Sequence, residues 1–463
     1  MNNRYVRLSC ALVFVLACSL RAYCQELPPD KPPVIDSQLR QRLIDNITRE
    51  LQVRYVAPEK IKDIASYLRT KLQSGAYEKV DRANELASVL TSDLRTAGKD
   101  LHLLVTYNPA LERALRSASP APSAELPELP PTPEQLTRQR QSNYDFRKLE
   151  IMSGNVGYLE LRSFIDLNQS KETAAAAMNF LANTDAVIID LRRNPGGFIN
   201  LEIFLASYFY GVDPVELLSR YHREGDVTIR DWTLREVPGK RLQYVDLYIL
   251  TSRETGSAGE GFSFILQQRH RAKIIGEQTS GAGYGNKEIP IGDGFVFYVS
   301  TFRQFDPRTG RGWQEVGVKP DIAVPGERAL SVAHFEAVKN LVDKTTDTRR
   351  KQQLSWLAVL LQLEAQGGAK EVPVAVLESY SGKYDGGKIV VSLEQGQLYF
   401  LGASGVRRKL YALGDESFLI EDQSVAPENQ ARVRFIKNAA GNVTELQLMV
   451  ADGRTFPRTK DSQ

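Results

Sequence analysis

The chain reads as a multidomain α/β (α+β) protein with an N-terminal three-helix bundle, an α/β layered core and a small C-terminal antiparallel β-domain. Three observations predict this. Residues 36–96 carry apolar side chains at helical spacing, apolar runs of strand length alternate with helical stretches from 151 onward, and 376–463 break into short strands divided by Gly-containing turns. At 463 residues the chain exceeds one compact core.

The first 24 residues have a basic start, Arg4 and Arg7, followed by an apolar stretch from Leu8 to Leu20 that is too short to span a bilayer. They read as an export signal and imply a periplasmic or secreted product. Small residues at Ala22 and Cys24 suit cleavage after Cys24, whereas acylation at Cys18, within VLAC, would make a lipid anchor. All three cysteines, Cys10, Cys18 and Cys24, fall in this segment, so disulfide and thiol chemistry are not expected of the remainder. The four histidines, His102, His222, His270 and His334, lack metal-site spacing, and no metal or cofactor is implied. A net charge of +3 without a Lys/Arg block sets nucleic acid aside as a partner.

The N-terminal helical domain is expected over 36–107. Its helices rest on Leu39, Leu43, Ile47 and Leu51, then Ile61, Ile64, Leu68 and Leu72, then Leu86, Val89, Leu90 and Leu94; LHLLVTY, 101–107, follows as a strand. A Pro-rich linker is expected over 108–150. The core, 151–345, holds the strands NVGYLEL, DAVIIDL, VDLYILT and AKIIG, with helices near 170–182, 198–210 and 257–269. DPRTG, 306–310, has turn chemistry and predicts a hairpin between FVFYVSTFRQF and WQEVGVKPDIAV. A connecting helix over 346–375 leads to the β-domain at 376–463.

The chemistry-bearing candidate is Ser257 in TSRETGSAGEGFSF, between a buried strand and a helix. A helix N-terminus presents unpaired N–H groups to developing negative charge. Ser is also a favoured N-cap, and Glu260 three residues on would complete a capping box, so this segment alone favours a cap. DLRRNPGGFIN supplies a second turn, in which Gly196 and Gly197 can aim backbone N–H groups at an oxyanion.

DLRRNPGG, TGSAGE, IIGEQTSGAG and WQEVGVKPDIAVP, in that order, resemble the motifs of the serine peptidase superfamily that comprises C-terminal processing proteases, the tricorn protease core and the interphotoreceptor retinoid-binding protein repeats. The resemblance covers about residues 38–345. It implies a protease core at 151–345, Ser257 as nucleophile, and the N–H groups of Ala258 with Gly196 or Gly197 as oxyanion hole. The lysine base of the processing proteases would fall at position 282, which is Ala282; Lys287 is a poor substitute in a solvated context. The chain therefore resembles the tricorn and retinoid-binding-like branch, without a PDZ domain. That branch implies His102, in KDLHLLV, as base and Glu315, in QEVGV, as its supporting carboxylate. Where tricorn-like enzymes bridge histidine to glutamate through a preceding serine, this chain has Leu101, so Glu315 acts through water or another group, or Asp100 takes part. The expected function is an exported serine-type peptidase, a hydrolase acting on peptide or protein. The alternative is a non-catalytic protein on the same fold, binding peptide or apolar ligands. Arg192 and Arg193 could bind a substrate carboxylate, although a strand-end salt bridge explains them as well. Substrate and oligomeric state are not read from the sequence.

Overall fold

The structure, a computed structural model, describes residues 32–117, 130–368, 370–414 and 416–462. The export segment and its cysteines lie outside them. Among the described residues no helix is long and apolar enough to cross a membrane.

Helices Ser37–Arg54, Ile61–Gln73 and Ala83–Gly98 form the N-terminal bundle. The periodic residues anticipated from the sequence bury one stripe of each helix, as amphipathic helices must to repay ordering. That stripe does not close on itself. Phe295, Phe297 and Val299, from strand Phe295–Phe305, complete the same cluster, and strand Leu104–Tyr107 pairs antiparallel with that strand. The bundle is thus one half of a shared core.

The central sheet has six strands in the order Ile322–Ala323, Ala272–Gly276, Asp246–Thr251, Ala186–Asp190, Val156–Leu161 and Phe146–Met152. All pair in parallel except the last, antiparallel strand. Helices Leu167–Phe180, Ile199–Ser207 and Ala258–Gln268 cover one face, and Ala329–Lys344 with Thr348–Gln366 cover the other. Burial on both faces explains why AVIID and LYILT read as continuous apolar runs instead of alternating. A second sheet joins Leu104–Tyr107, Phe295–Phe305, Glu216–His222 and Val227–Trp232, with Tyr284–Gly292 also on Phe295–Phe305.

From Gly382 to Thr459 eight strands follow one another in antiparallel order, and a bridge from Tyr384 to Lys460 joins the first strand to the end of the last. The interior is filled by aromatic side chains, with the Tyr380 and Phe435 rings stacked at 4.3 Å. The domain docks on helix Thr348–Gln366. Arg432 lies 3.7 Å over the Trp356 ring, and the Trp356 indole N–H donates to the Gln430 carbonyl at 3.1 Å.

Three expectations need correction. Residues 108–150 are not a plain linker: helices Pro109–Ser117 and Pro133–Gln141 and the start of strand Phe146–Met152 occupy its described parts. Pro133 stands at the first turn of its helix, where the missing N–H costs nothing, and Thr132 with Gln135 forms a capping box. Secondly, the turn at 306–310 forms, but strand Phe295–Phe305 finds its hairpin partner on the other side, in Tyr284–Gly292. Residues 313–318 run as a loop, freeing Glu315 to face the helical bundle. Thirdly, the strand expected from 101 starts at Leu104, which leaves His102 in the turn before it.

Candidate active site

Two turns meet at the C-terminal ends of adjacent parallel strands, where open α/β sheets place their ligand sites. Strand Ala186–Asp190 leads into Asn194-Pro195-Gly196-Gly197, and strand Asp246–Thr251 leads into Thr255-Gly256-Ser257. Asn194 joins them. Its carbonyl accepts from Gly256 N–H at 3.0 Å, its side-chain amide donates to the Leu161 carbonyl at 3.0 Å, and its Oδ1 accepts from Gly196 N–H at 2.8 Å. Thr255 Oγ1 donates to the Leu191 carbonyl at 2.7 Å.

The contact is too close for side chains. Gly196 and Gly197 have φ of 117° and 138°, and a methyl group on Gly196 would lie 2.6 Å from Ser257 Cβ and 3.0 Å from Ala258 N. On Gly197 it would lie 2.1 Å from the Phe164 carbonyl oxygen. Gly196 N–H is engaged by Asn194, whereas Gly197 is an exposed residue.

Ser257 stands at φ 48°, ψ −120°, directly before helix Ala258–Gln268. A non-glycine residue at positive φ is strained, and such strain persists where the surroundings over-determine it. Glu260 is the chief determinant. Fully buried, its Oε2 accepts from the N–H groups of Ser257 (3.0 Å) and Ala282 (2.8 Å) and from the Ser280 hydroxyl (3.1 Å). Its Oε1 accepts from Gly281 N–H (2.7 Å) and the Thr279 hydroxyl (2.6 Å). Burial pushes the Glu260 carboxyl above its usual range, and these donors oppose that shift. The residue that suggested a helix cap thus ties the Ser257 turn to the segment 279–282.

The Ser257 hydroxyl points to the other lobe. Its Oγ lies 3.1 Å from His102 Nε2. His102 is carried there by helix Ala83–Gly98, which ends in a left-handed Lys99 (φ 49°). Asn286 Nδ2 donates to the His102 carbonyl at 3.1 Å, and Gln314 Nε2 donates to the Lys99 carbonyl at 3.2 Å, fixing this turn to the core. Burial lowers the imidazole pKa below its usual 6.5, Asp100 raises it, and Arg95 lowers it again.

Asp100 is completely buried, accepts from His102 N–H at 2.9 Å, and has Oδ1 4.0 Å from His102 Nδ1. Glu315, at φ 66°, is turned instead to an ion pair with Lys60, whose ammonium also donates to the Gly98 carbonyl at 2.9 Å. The sequence brought Ser257, His102, Ala258, Gly196 and Gly197 to one locus, and Glu315 to its edge. It did not reveal Asn194, Glu260 or Lys60 as parts of that locus; for Asn194 and Glu260 the only signal was their place inside the two turn motifs. Arg192 pairs with Asp190 and donates to the Gly326 carbonyl at 2.6 Å, a strand-end brace. His334 is likewise structural, bonded to the Ser153 carbonyl at 2.8 Å, and His222 stacks on Phe302.

Parts of the chain are similar to known proteins. Residues 155–324 match peptidase family S41, and residues 37–142 match the N-terminal domain of Peptidase_S41 in eukaryotic IRBP; together they span more than half of the chain. A carboxy-terminal-processing protease of Bartonella bacilliformis is 29% identical over 177 residues, 37% of this chain and 39% of that protein. A carboxyl-terminal-processing protease of Picosynechococcus sp. is 28% identical over 187 residues, 39% of this chain and 42% of that protein. The chain thus spans about two fifths of the length of these curated relatives. Among solved structures, mature CPAF aligns with 72% of this chain and 99% of its own at 13% identity and a TM-score of 0.43. The chain belongs to the S41 peptidase family.

Proposed function

We propose that the protein is an exported serine peptidase that hydrolyses peptide bonds through an acyl-enzyme. The observation that carries this reading is the 3.1 Å approach of His102 Nε2 to the hydroxyl of a strained Ser257 at a helix N-terminus. Serine is a weak nucleophile at neutral pH, and an imidazole kept neutral by burial can accept its proton. Ser257 Oγ attacks the peptide carbonyl while its proton passes to His102 Nε2. The oxyanion is held by the N–H groups of Ala258 and Gly197, with Gly196 shaping the turn. His102 then protonates the departing amine, and water, deprotonated by the same imidazole, releases the acyl group. Glu315 supports the base indirectly, since its ion pair with Lys60 steadies the Gly98 carbonyl two residues before Asp100. Export rests on the first 24 residues, with Cys18 as the point of lipid anchoring if acylated.

The test is labelling of the full chain with a fluorophosphonate probe. Wild type is expected to label and Ser257→Ala not to. Folded wild type that stays unlabelled while binding an apolar ligand tightly would overturn the peptidase reading in favour of a binding protein.

A further inference from the structure

Three buried polar atoms behind the imidazole have no hydrogen-bond partner: His102 Nδ1, Asp100 Oδ2 and the Tyr55 hydroxyl. They are a chemically matched set. Tyr55 has one O–H to give, the carboxylate has one oxygen left after accepting from His102 N–H, and Nδ1 must carry a proton whenever Nε2 acts as base. Leaving such groups unpaired away from water is costly, and Asp100 Oδ1 already lies within 4.0 Å of His102 Nδ1.

We propose that Tyr55 is a positioning residue, whose hydroxyl donates to Asp100 and holds that carboxylate against His102 Nδ1. This rests on the reading of Ser257 and His102 as nucleophile and base, and it assigns to Asp100, rather than Glu315, the direct contact with the imidazole. Tyr55 is suited to the task by its backbone. It sits at the end of helix Ser37–Arg54, its carbonyl accepts from Arg223 at 2.7 Å, and the next residue, Val56, donates its N–H to the Ser300 carbonyl at 2.9 Å. Its ring meets Tyr284 edge-on at 6.5 Å. Anchored from both lobes and fully buried, the phenol has little freedom to turn away.

The charges around it are consistent. Burial first, and then the negative Asp100, push the Tyr55 hydroxyl well above its ordinary range, so it stays protonated as a donor. The other groups facing the set are Arg95 on helix Ala83–Gly98, Tyr284 on its strand, and Glu315 on its loop. Lys60 faces Glu315, and Glu59 faces Tyr284. Among these, Asp100 is the carboxylate acting directly on His102.

The signs of the two substitutions differ, which separates positioning from mere packing. Asp100→Asn removes the charge that raises the His102 pKa, so the acid limb of the activity profile moves to lower pH. Tyr55→Phe keeps the charge and removes the donor that partly neutralises it, so the limb moves to higher pH. Ser257 acylation by a fluorophosphonate, measured against pH in the full chain, is expected to slow about tenfold in Tyr55→Phe. In Asp100→Asn it is expected to slow about a hundredfold or more. The double variant should be no slower than Asp100→Asn alone. A Tyr55→Phe limb that coincides with wild type, or losses that multiply in the double variant, would overturn the proposal. Should Tyr55→Phe not fold, an Asp100→Asn limb that fails to move downward overturns it instead. Absence of labelling in wild type at every pH would refute the peptidase reading itself, before any variant is compared.

Discussion

Glu260→Gln replaces a carboxylate by an amide of the same shape, and its effect can be worked out from the five donors around it. Whichever way the amide is oriented, its NH2 group faces backbone donors that cannot reverse. At Oε1 it opposes Gly281 N–H, and at Oε2 it opposes both Ser257 and Ala282. The Ser280 hydroxyl can rotate to accept, whereas Thr279 is less free, because its oxygen already accepts from Val318 N–H at 2.7 Å. The amide therefore settles with NH2 at the Oε1 position, where Gly281 N–H loses its acceptor and the remaining bonds lose their charge assistance. One orphaned buried N–H costs about 1–3 kcal/mol, and weakening the charged bonds adds about 1–2 kcal/mol. A core of this size responds with a fall in melting temperature of about 5–15 °C. The Ser257 turn, no longer over-determined, relaxes from φ 48°, and fluorophosphonate labelling slows about a hundredfold. Thermal unfolding by circular dichroism and labelling kinetics on the same preparation check both effects. Melting within about 1–2 °C of wild type, together with an unchanged labelling rate, would refute a role for Glu260 in holding Ser257 in place.

Gly196→Ala brings a methyl group 2.6 Å from Ser257 Cβ at a φ of 117°; the fold should lose about 1–3 kcal/mol, and labelling should be abolished, as read by urea titration and probe gel. Because burial lowers the pKa of His102, peptidase activity should persist at pH values below 6.5 at which an exposed histidine would already be protonated, a point checked by the acid limb of kcat/KM. His102 and His334 both have folded pKa values depressed by burial, so the unfolded chain binds protons more readily. Their contribution to stability is complete above the unfolded value near 6.5 and falls as pH drops through it, visible as a declining urea midpoint between neutral and mildly acidic pH. Lys60→Met removes the ion pair to Glu315 and the bond to the Gly98 carbonyl; a half-exposed pair of this kind is worth about 1 kcal/mol, and protease nicking of the segment 98–103 should quicken correspondingly.

How much of this was legible in the sequence depended on whether the cause was local. The Ser257 turn and the Asn194–Gly197 turn each follow a continuously apolar strand, and a strand buried on both faces announces itself. The strands Glu216–His222 and Val227–Trp232 do not, because Ser219, Arg220, Arg230 and Asp231 interrupt them, with Arg220 and Asp231 joined in an ion pair between the two strands. Tyr284–Gly292 was disguised by Pro290 and flanking glycines, so the strong strand after it was matched to the wrong partner. The same holds within the site. The motif resemblance singled out Glu315 as support for His102, but its side chain follows Lys60, a cation delivered by a helix some 250 positions earlier. Asn194 was readable as a turn residue, whereas its grip on Gly196 N–H depends on a side-chain rotation that no pattern encodes.

Ser257 and His102 are 155 residues apart and belong to halves of the molecule that share one apolar cluster. Contacts of such sequence separation form late, because the closure entropy of the intervening chain is spent before they reward it. Ser257 and His102 therefore meet only after both halves have folded and docked. A chain still emerging from its ribosome, or one misfolded in either half, holds Ser257 and His102 without bringing them together. Their contact is in effect a report on complete assembly.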